Sequence, residues 1–420
     1  MHLAILTQYY PPETGAPQRR LSNLARHFLE GGHSVTVLTA MPNYPQGRIF
    51  PGYGGLYRKT NEEGIQLLRT FIYPTSRPGM VSRLSNYFSF VLSSTVFGSF
   101  SLPKPHYLLV ESPPLFLGMS GYWLSRLKSA KLIFNVSDLW PESAVRLGVI
   151  ERSSLGFRVA EALERFCYRK AWLVTGQSKS ILSDITARFP KVRSFHLSNG
   201  ADTGLFQPAS TSQAGSSLLG KKKGEFITAY VGLHGLAQGL EQVLAAAKKP
   251  ETAGIRFVFI GEGPRKRDLQ AQTAQQELKN VEFLGVQPAS TIPSLLADVD
   301  VLLVTLKGDI PGAVPSKLYE AMAMAKPVVL LARGEAAEIV RESEAGIVVE
   351  PDDIQGLAAA LQLLRSQPEL RRRLGQNGRC AVLNRYDRAQ IARNFMEFLE
   401  DDLRNSNSPC QSQSIVLNHE

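Results

Sequence analysis

Residues 299–332 read VDVLLVTLKGDIPGAVPSKLYEAMAMAKPVVLLA. The run Val301-Leu302-Leu303-Val304 is apolar at every position, as a parallel strand covered by helices on both faces requires. A loop with Gly312 and Pro315 follows, then Ser316 to Ala323 at helical spacing, then a second apolar run from Pro327. A strand–helix–strand unit of this kind predicts a doubly wound α/β sheet, whose ligands gather beyond the carboxyl ends of the strands.

The same alternation continues in both directions. Strands are expected at 225–231, 256–260, 281–285, 299–305, 327–332 and 346–349 in the second half, and at 2–7, 34–39, 66–73, 107–111, 131–136, 171–176 and 194–198 in the first. Two Rossmann-like domains in series follow, 1–198 and 199–385, with helical composition over 354–366, 368–384 and 387–403. The Ser/Gly/Lys-rich stretch 199–224 reads as a linker plus surface loop, and 405–420 as a disordered tail.

The chain has 420 residues, 44% hydrophobic and 20% charged, proportions that exclude a disordered or collagen-like protein. Three widely spaced cysteines, Cys167, Cys380 and Cys410, fit neither a disulfide framework nor a paired-cysteine zinc site, and point to a reducing compartment. The N-terminus lacks a basic region followed by a long apolar one, so the chain is expected to stay in the cytoplasm. The net charge of +10 is uneven: residues 1–200 carry 23 Lys/Arg against 11 Asp/Glu, the remainder 24 against 26. A basic first half is expected to face something anionic, such as a phospholipid surface, a lipid diphosphate or nucleic acid, unless it serves only solubility. One apolar segment, 81–102, breaks the alternation; it reads equally as a buried helix or as a membrane-facing one, and the basic half around it favours the latter.

Four strand-to-helix turns are candidates for chemistry. In the first, Gly15 permits close backbone approach and Arg19 lies near a helix start able to meet phosphate; a plain turn with a solvated arginine is the alternative. In the second, Asp138, Trp140 and Glu142 crowd a strand end; Asp138 is placed to bond a sugar hydroxyl or to stabilise positive charge, or else caps a helix. The third contains Gly232, His234 and Gly235, whose N–H groups suit a diphosphate. The fourth joins Gly312, Ala313, Ser316, Lys317 and Glu320. Lys317 and Glu320, three apart on one helix face, suit a phosphate and a ribose respectively, or form a surface ion pair. No metal-ligand cluster is visible.

Residues 315–323 (PSKLYEAMA), followed by Lys326-Pro327-Val328-Val329, resemble the donor-site signature of family 4 retaining glycosyltransferases. Gly15, the stretch Asp138 to Glu142, and Ser198 to Asp202 extend the resemblance over nearly the whole chain. It is finest with bacterial surface-polysaccharide enzymes, including N-acetyl-fucosamine transferases of O-antigen pathways. The resemblance implies the GT-B fold, two Rossmann-like domains facing across a cleft. A nucleotide diphosphate sugar would bind the second domain and a lipid-linked glycan acceptor the first, at the inner face of the membrane. It also implies retention without a metal or cofactor, no nucleic-acid partner, and a C-terminal helix over 386–404 returning to the first domain. On that reading Asp138 and Lys317 are catalytic, and Trp140 and Glu142 line the acceptor side. The chain departs from the family at Leu233 and Gln238, where Arg and Lys are usual, at Gly312 in place of a glutamate, and at Ser137 in place of a histidine. A nucleotide-sugar 2-epimerase of the same fold and a non-enzymatic membrane scaffold are the rivals; a nicotinamide dehydrogenase lacks its dinucleotide fingerprint.

Overall fold

In a computed structural model, described here for residues 1–76, 79–146, 148, 150–208, 217–308, 310 and 312–407, the chain forms two sheets, each covered by helices on both faces. Cys410, most of the expected tail and the middle of the expected linker loop lie outside the described residues.

The first sheet comprises β1 (His2–Thr7), β2 (Ser34–Ala40), β3 (Tyr57–Glu62), β4 (Ile65–Thr70), β5 (Tyr107–Ser112), β6 (Lys131–Val136), β7 (Leu173–Gly176) and β8 (Ser194–His196). Their order is β3-β4-β2-β1-β5-β6-β7-β8, parallel except for β3, which pairs antiparallel with β4. The alternation had not revealed β3. Its residues, YRKTNE, are polar and mostly exposed, and an edge strand held by one neighbour needs no apolar run. The helices of this domain are α1 (Ala16–Glu30), α2 (Met80–Ser101), α3 (Leu117–Lys128), α4 (Glu142–Arg146), α5 (Leu155–Lys170) and α6 (Lys179–Arg188).

The second sheet, all parallel, comprises β9 (Phe226–Val231), β10 (Ile255–Ile260), β11 (Val281–Leu284), β12 (Val301–Thr305), β13 (Val328–Leu331) and β14 (Gly346–Val349) in the order β11-β10-β9-β12-β13-β14. Strand order therefore reverses between β9 and β12 here and between β1 and β5 in the first sheet, and each reversal opens a crevice at the strands' carboxyl ends. Around this sheet lie α7 (Glu241–Ala247), α8 (Lys266–Gln275), α9 (Ile292–Ala297), α10 (Ser316–Ala323), α11 (Glu335–Glu342), α12 (Ile354–Ser366) and α13 (Pro368–Ala381).

A last helix, α14 (Arg388–Asn407), belongs by its packing to the first domain. Ala392, Phe395, Met396 and Leu399 join the core cluster of Leu3, Leu21 and Phe28, and the Tyr107 hydroxyl donates to the Leu399 carbonyl at 2.9 Å. The helix runs on through Asn407, beyond the start expected for the tail. Both chain crossings between the domains lie side by side: Ala201 N–H donates to the Tyr386 carbonyl at 2.8 Å and Arg388 N–H to the Ala201 carbonyl at 2.9 Å.

Candidate active site

The two crevices face each other, and several contacts span them. Gly312, at φ +71°, comes so near α6 that a Cβ there would lie 2.4 Å from Ile181 Cγ1, so only glycine fits. Glu335, at the start of α11, accepts the N–H groups of Lys179 at 2.9 Å and Ser180 at 2.7 Å, satisfying orphan donors at the start of α6. Arg19 on α1 reaches Glu320 on α10 at 3.3 Å, with the carboxylate largely buried.

On the second domain the site is built around Lys317. Pro315 precedes α10 with extended backbone, and the helix starts at Ser316, which aims its first turn toward the end of β9. Lys317 Nζ donates to the Tyr230 hydroxyl at 2.5 Å and lies 3.9 Å from the centre of that ring. The Tyr230 hydroxyl in turn donates to the Leu233 carbonyl at 2.8 Å. Gly232 leaves room for the ammonium: a Cβ at its φ of +135° would sit 3.0 Å from Nζ. Burial pushes the Lys317 ammonium down to about 7, and the nearby Glu320 carboxylate only partly opposes it. Lys317 is thus a cation held without a counter-ion of its own.

The glycine loop differs from its expected role. Gly232 N–H donates to the Ile260 carbonyl at 2.9 Å, His234 N–H to the Glu262 carbonyl at 2.8 Å and Gly235 N–H to Gln238 Oε1 at 3.1 Å, so these three amides are already engaged. The His234 side chain is fully buried beside the rings of Tyr230, Phe259 and Phe283, which drives its pKa down to about 4. It is a neutral packing residue behind the loop and offers the cleft no side chain. What remains for an anion is Lys317 and the start of α10, where the Leu318 N–H is already taken by the Pro315 carbonyl at 3.0 Å and the amides of Ser316 and Lys317 come before it. Ala313 N–H closes a turn onto the Ile310 carbonyl at 3.1 Å, leaving Gly312 as a point of contact between the domains.

On the first domain, the floor of the crevice is a buried polar network that sequence reading missed. Arg20 pairs with Glu111 at 2.5 Å and donates to Ser137 Oγ at 2.8 Å and Asn199 Oδ1 at 3.1 Å. Glu111 also accepts from Asn135 at 2.7 Å and from Ser137 at 2.6 Å. Asn199 continues to Gln177 and, at 3.4 Å, to the Val314 carbonyl of the donor loop. The network thus ties the ends of β5 and β6 and the linker to the loop that carries Ser316 and Lys317. The signal lay in polar residues closing apolar strands, namely Glu111 after β5's apolar run and Asn135 within β6.

The remaining expected residues take varied places. Asp138 accepts a hydrogen bond from Ser143, and burial raises its pKa. Trp140 is partly buried beside it. Glu142 instead joins a surface cluster with Arg152 at 2.5 Å and Arg146 at 3.6 Å. Gly15 precedes α1 in extended conformation, where a Cβ would meet Gln18 Oε1 at 2.4 Å, so its role is room rather than a left-handed turn. Among the described residues no group of three or more His, Cys, Asp or Glu side chains is arranged to hold a metal ion.

The two facing Rossmann-like sheets make the GT-B fold, and the chain is a glycosyltransferase. Residues 15–200 match the glycosyl transferase 4-like domain and residues 216–380 the glycosyl transferases group 1, so both halves of the chain are those of a glycosyltransferase. Its similarity to the colanic acid biosynthesis glycosyl transferase WcaI, so assigned in Escherichia coli K12, is 26% identity over 84% of this chain and 89% of that protein. With the sulfoquinovosyl transferase SQD2 of Arabidopsis thaliana it is 28% identical, over 86% of this chain and 66% of SQD2. Among solved structures, sucrose-phosphate synthase from Thermosynechococcus elongatus superposes with a TM-score of 0.76, at 18% identity, over 97% of this chain and all of that one. HepE from Anabaena, solved with UDP-glucose, gives 0.69 at 17% identity over 96% and 100%.

Proposed function

We propose that the protein is a retaining glycosyltransferase that moves a sugar from a nucleotide diphosphate donor to a lipid-linked glycan acceptor during bacterial surface-polysaccharide assembly. The observation that carries the donor side is Lys317, a part-buried ammonium with a hydroxyl and no carboxylate to itself, three residues from a carboxylate that pairs with Arg19. A diphosphate supplies the missing negative charge. The first-turn amides of α10 and Lys317 then stabilise the charge that grows on the departing diphosphate, work that needs no metal ion. Glu320 takes the ribose hydroxyls, and Arg19, released from it, turns to the phosphates. Asp138 stands across the crevice to stabilise positive charge as the glycosidic bond to the diphosphate breaks and the acceptor oxygen attacks from the same face. Closing the domains excludes water, which protects the donor from hydrolysis.

The kinship with WcaI supports a surface polysaccharide as the product. An N-acetyl-fucosaminyl donor is the finest form of the reading. The test is a thermal-shift panel of nucleotide sugars followed by product analysis with and without acceptor. Stabilisation by a nucleotide sugar that vanishes in Lys317→Ala, with product only when acceptor is present, supports it. Isomerised sugar nucleotide formed without acceptor would mark an epimerase instead.

A further inference from the structure

The first domain carries a second surface with no role in the donor chemistry. Helices α2 and α3 lie side by side and run parallel: Phe88 stacks on Phe116 with centroids 4.7 Å apart, Ser94 meets Ser120 at 3.0 Å, and Trp123 Nε1 donates to Ser99 Oγ at 3.3 Å. Their inner faces are packed on the sheet, with Phe90, Leu117 and Leu124 buried. Their outer faces are apolar as well. Phe88, Leu92 and Phe100 on α2 are 43%, 67% and 85% exposed, and Met119, Trp123 and Leu127 on α3 are 37%, 56% and 50% exposed. The four-residue steps put each set on one stripe, and the side-by-side packing merges the stripes into a single patch larger than scattered surface apolars make. No helix among the described residues is long and apolar enough to cross a membrane.

The charge around the patch is one-sided. From residue 64 to 137 the only acidic side chain is Glu111, and that one is buried against Arg20. Arg83, Lys104 and Arg126 are exposed, and Lys128 partly so, on the same helices and on the turn between α2 and β5. We infer that the α2–α3 face docks on an anionic phospholipid bilayer, with the apolar stripes entering the headgroup boundary and the lysines and arginines meeting the lipid phosphates. A second copy of the chain fits less well, because it would bring the same basic rim onto itself. The patch also has a direction. Asn86, two residues before Phe88, accepts from Gln8 Nε2 at 2.9 Å at the carboxyl end of β1, so the apolar face begins at the rim of the first-domain crevice. If the lipid-linked acceptor proposed above is correct, its headgroup leaves the bilayer beside the crevice that uses it.

The test uses the full chain and vesicles of phosphatidylcholine with and without phosphatidylglycerol. Co-sedimentation should be at least tenfold stronger with the anionic vesicles at low salt. Vesicles with brominated acyl chains should quench the fluorescence of Trp123, and Trp123→Phe should abolish that quenching while binding persists. Leu92→Ser/Phe100→Ser, both exposed and outside the donor site, should weaken binding at least tenfold and leave melting temperature and turnover of a water-soluble acceptor unchanged. Equal binding to both vesicle types, or quenching that survives Trp123→Phe, would overturn the assignment. So would dimers in solution that Leu92→Ser/Phe100→Ser dissolves, since the face would then be a protein interface. The vesicle-binding and quenching readouts do not depend on which sugar is transferred.

Discussion

Two cations stand in the cleft, one on each domain, and the protein treats them in opposite ways. Arg20 is buried with its counter-charge built in, since Glu111 lies 2.5 Å away and Ser137 and Asn199 take further donors. Lys317 is given one phenolic hydroxyl, and its nearest carboxylate is engaged by Arg19. A buried charge must be paired or it shifts toward its neutral form. Arg20 has the first solution and so is part of the architecture; Lys317 has the second, with its pKa driven to about 7, and an anion beside it would favour its charged form.

The contrast breaks most readily at Arg20. Arg20→Met leaves Glu111 buried without its cation, and removing one partner of such a pair costs about 3–5 kcal/mol. Denaturant unfolding should show that loss, and Arg20→Met/Glu111→Leu should recover part of it. Lys317→Met should leave stability unchanged or raised, because it removes a charge the fold does not neutralise. Equal losses in the two single variants would erase the distinction.

The effect at Lys317 should appear in turnover. Lys317→Ala should lower kcat/KM by at least about tenfold, near 1.4 kcal/mol of transition-state stabilisation, in a protein that melts normally. Wild-type turnover in that variant would move the diphosphate elsewhere.

The sequence made half of this contrast legible. Lys317 and Glu320 sit in a contiguous signature, so spacing alone placed them on one face of α10. The central strands were equally plain, because a strand buried on both faces must be apolar throughout. Arg20, Glu111, Asn135 and Asn199 come from four separate segments, and no local period reports that a sheet will gather them. His234 shows the opposite failure: the glycine-rich turn suggested N–H groups aimed at a diphosphate, yet the His234 N–H pairs with the Glu262 carbonyl and its ring lies among aromatics. Segment 81–102 reads two ways in the sequence because one face of α2 is core and the other is exposed.

The lowered pKa of Lys317 also fixes a pH dependence. The unfolded lysine titrates near its ordinary 10.5 and the folded one near 7, so between these values the unfolded chain holds more protons, and stability of the free protein should rise with pH across that window. Diphosphate binding favours the charged lysine and therefore takes up a proton above pH 7. Affinity for the nucleotide diphosphate should fall about fivefold from pH 7 to pH 8, the loss of the protonated fraction for a group titrating near 7. Calorimetry in buffers of different ionisation enthalpy should detect the proton uptake in the wild type and none in Lys317→Met. An affinity independent of pH over this range would mean that Lys317 stays charged without its ligand, and the difference from Arg20 would shrink to geometry.

The smallest effect sharpens the comparison most, because it has a sign as well as a size. Arg19 holds Glu320 at 3.3 Å with about a third of its own side chain exposed, so the pair itself is worth at most about 1 kcal/mol. If Glu320 must leave Arg19 to accept ribose hydroxyls, Arg19→Met should tighten binding of the bare nucleoside, which has no phosphate to engage the arginine. The same substitution should weaken binding of the nucleoside diphosphate, which gains from it. Each change should be about two- to fivefold, as expected of a partly exposed ion pair, and opposite in direction. Titrating both ligands against both proteins reads the crossing directly. If the nucleoside and the diphosphate weaken together, Arg19 only shapes the cleft, and Lys317 carries the phosphate charge alone.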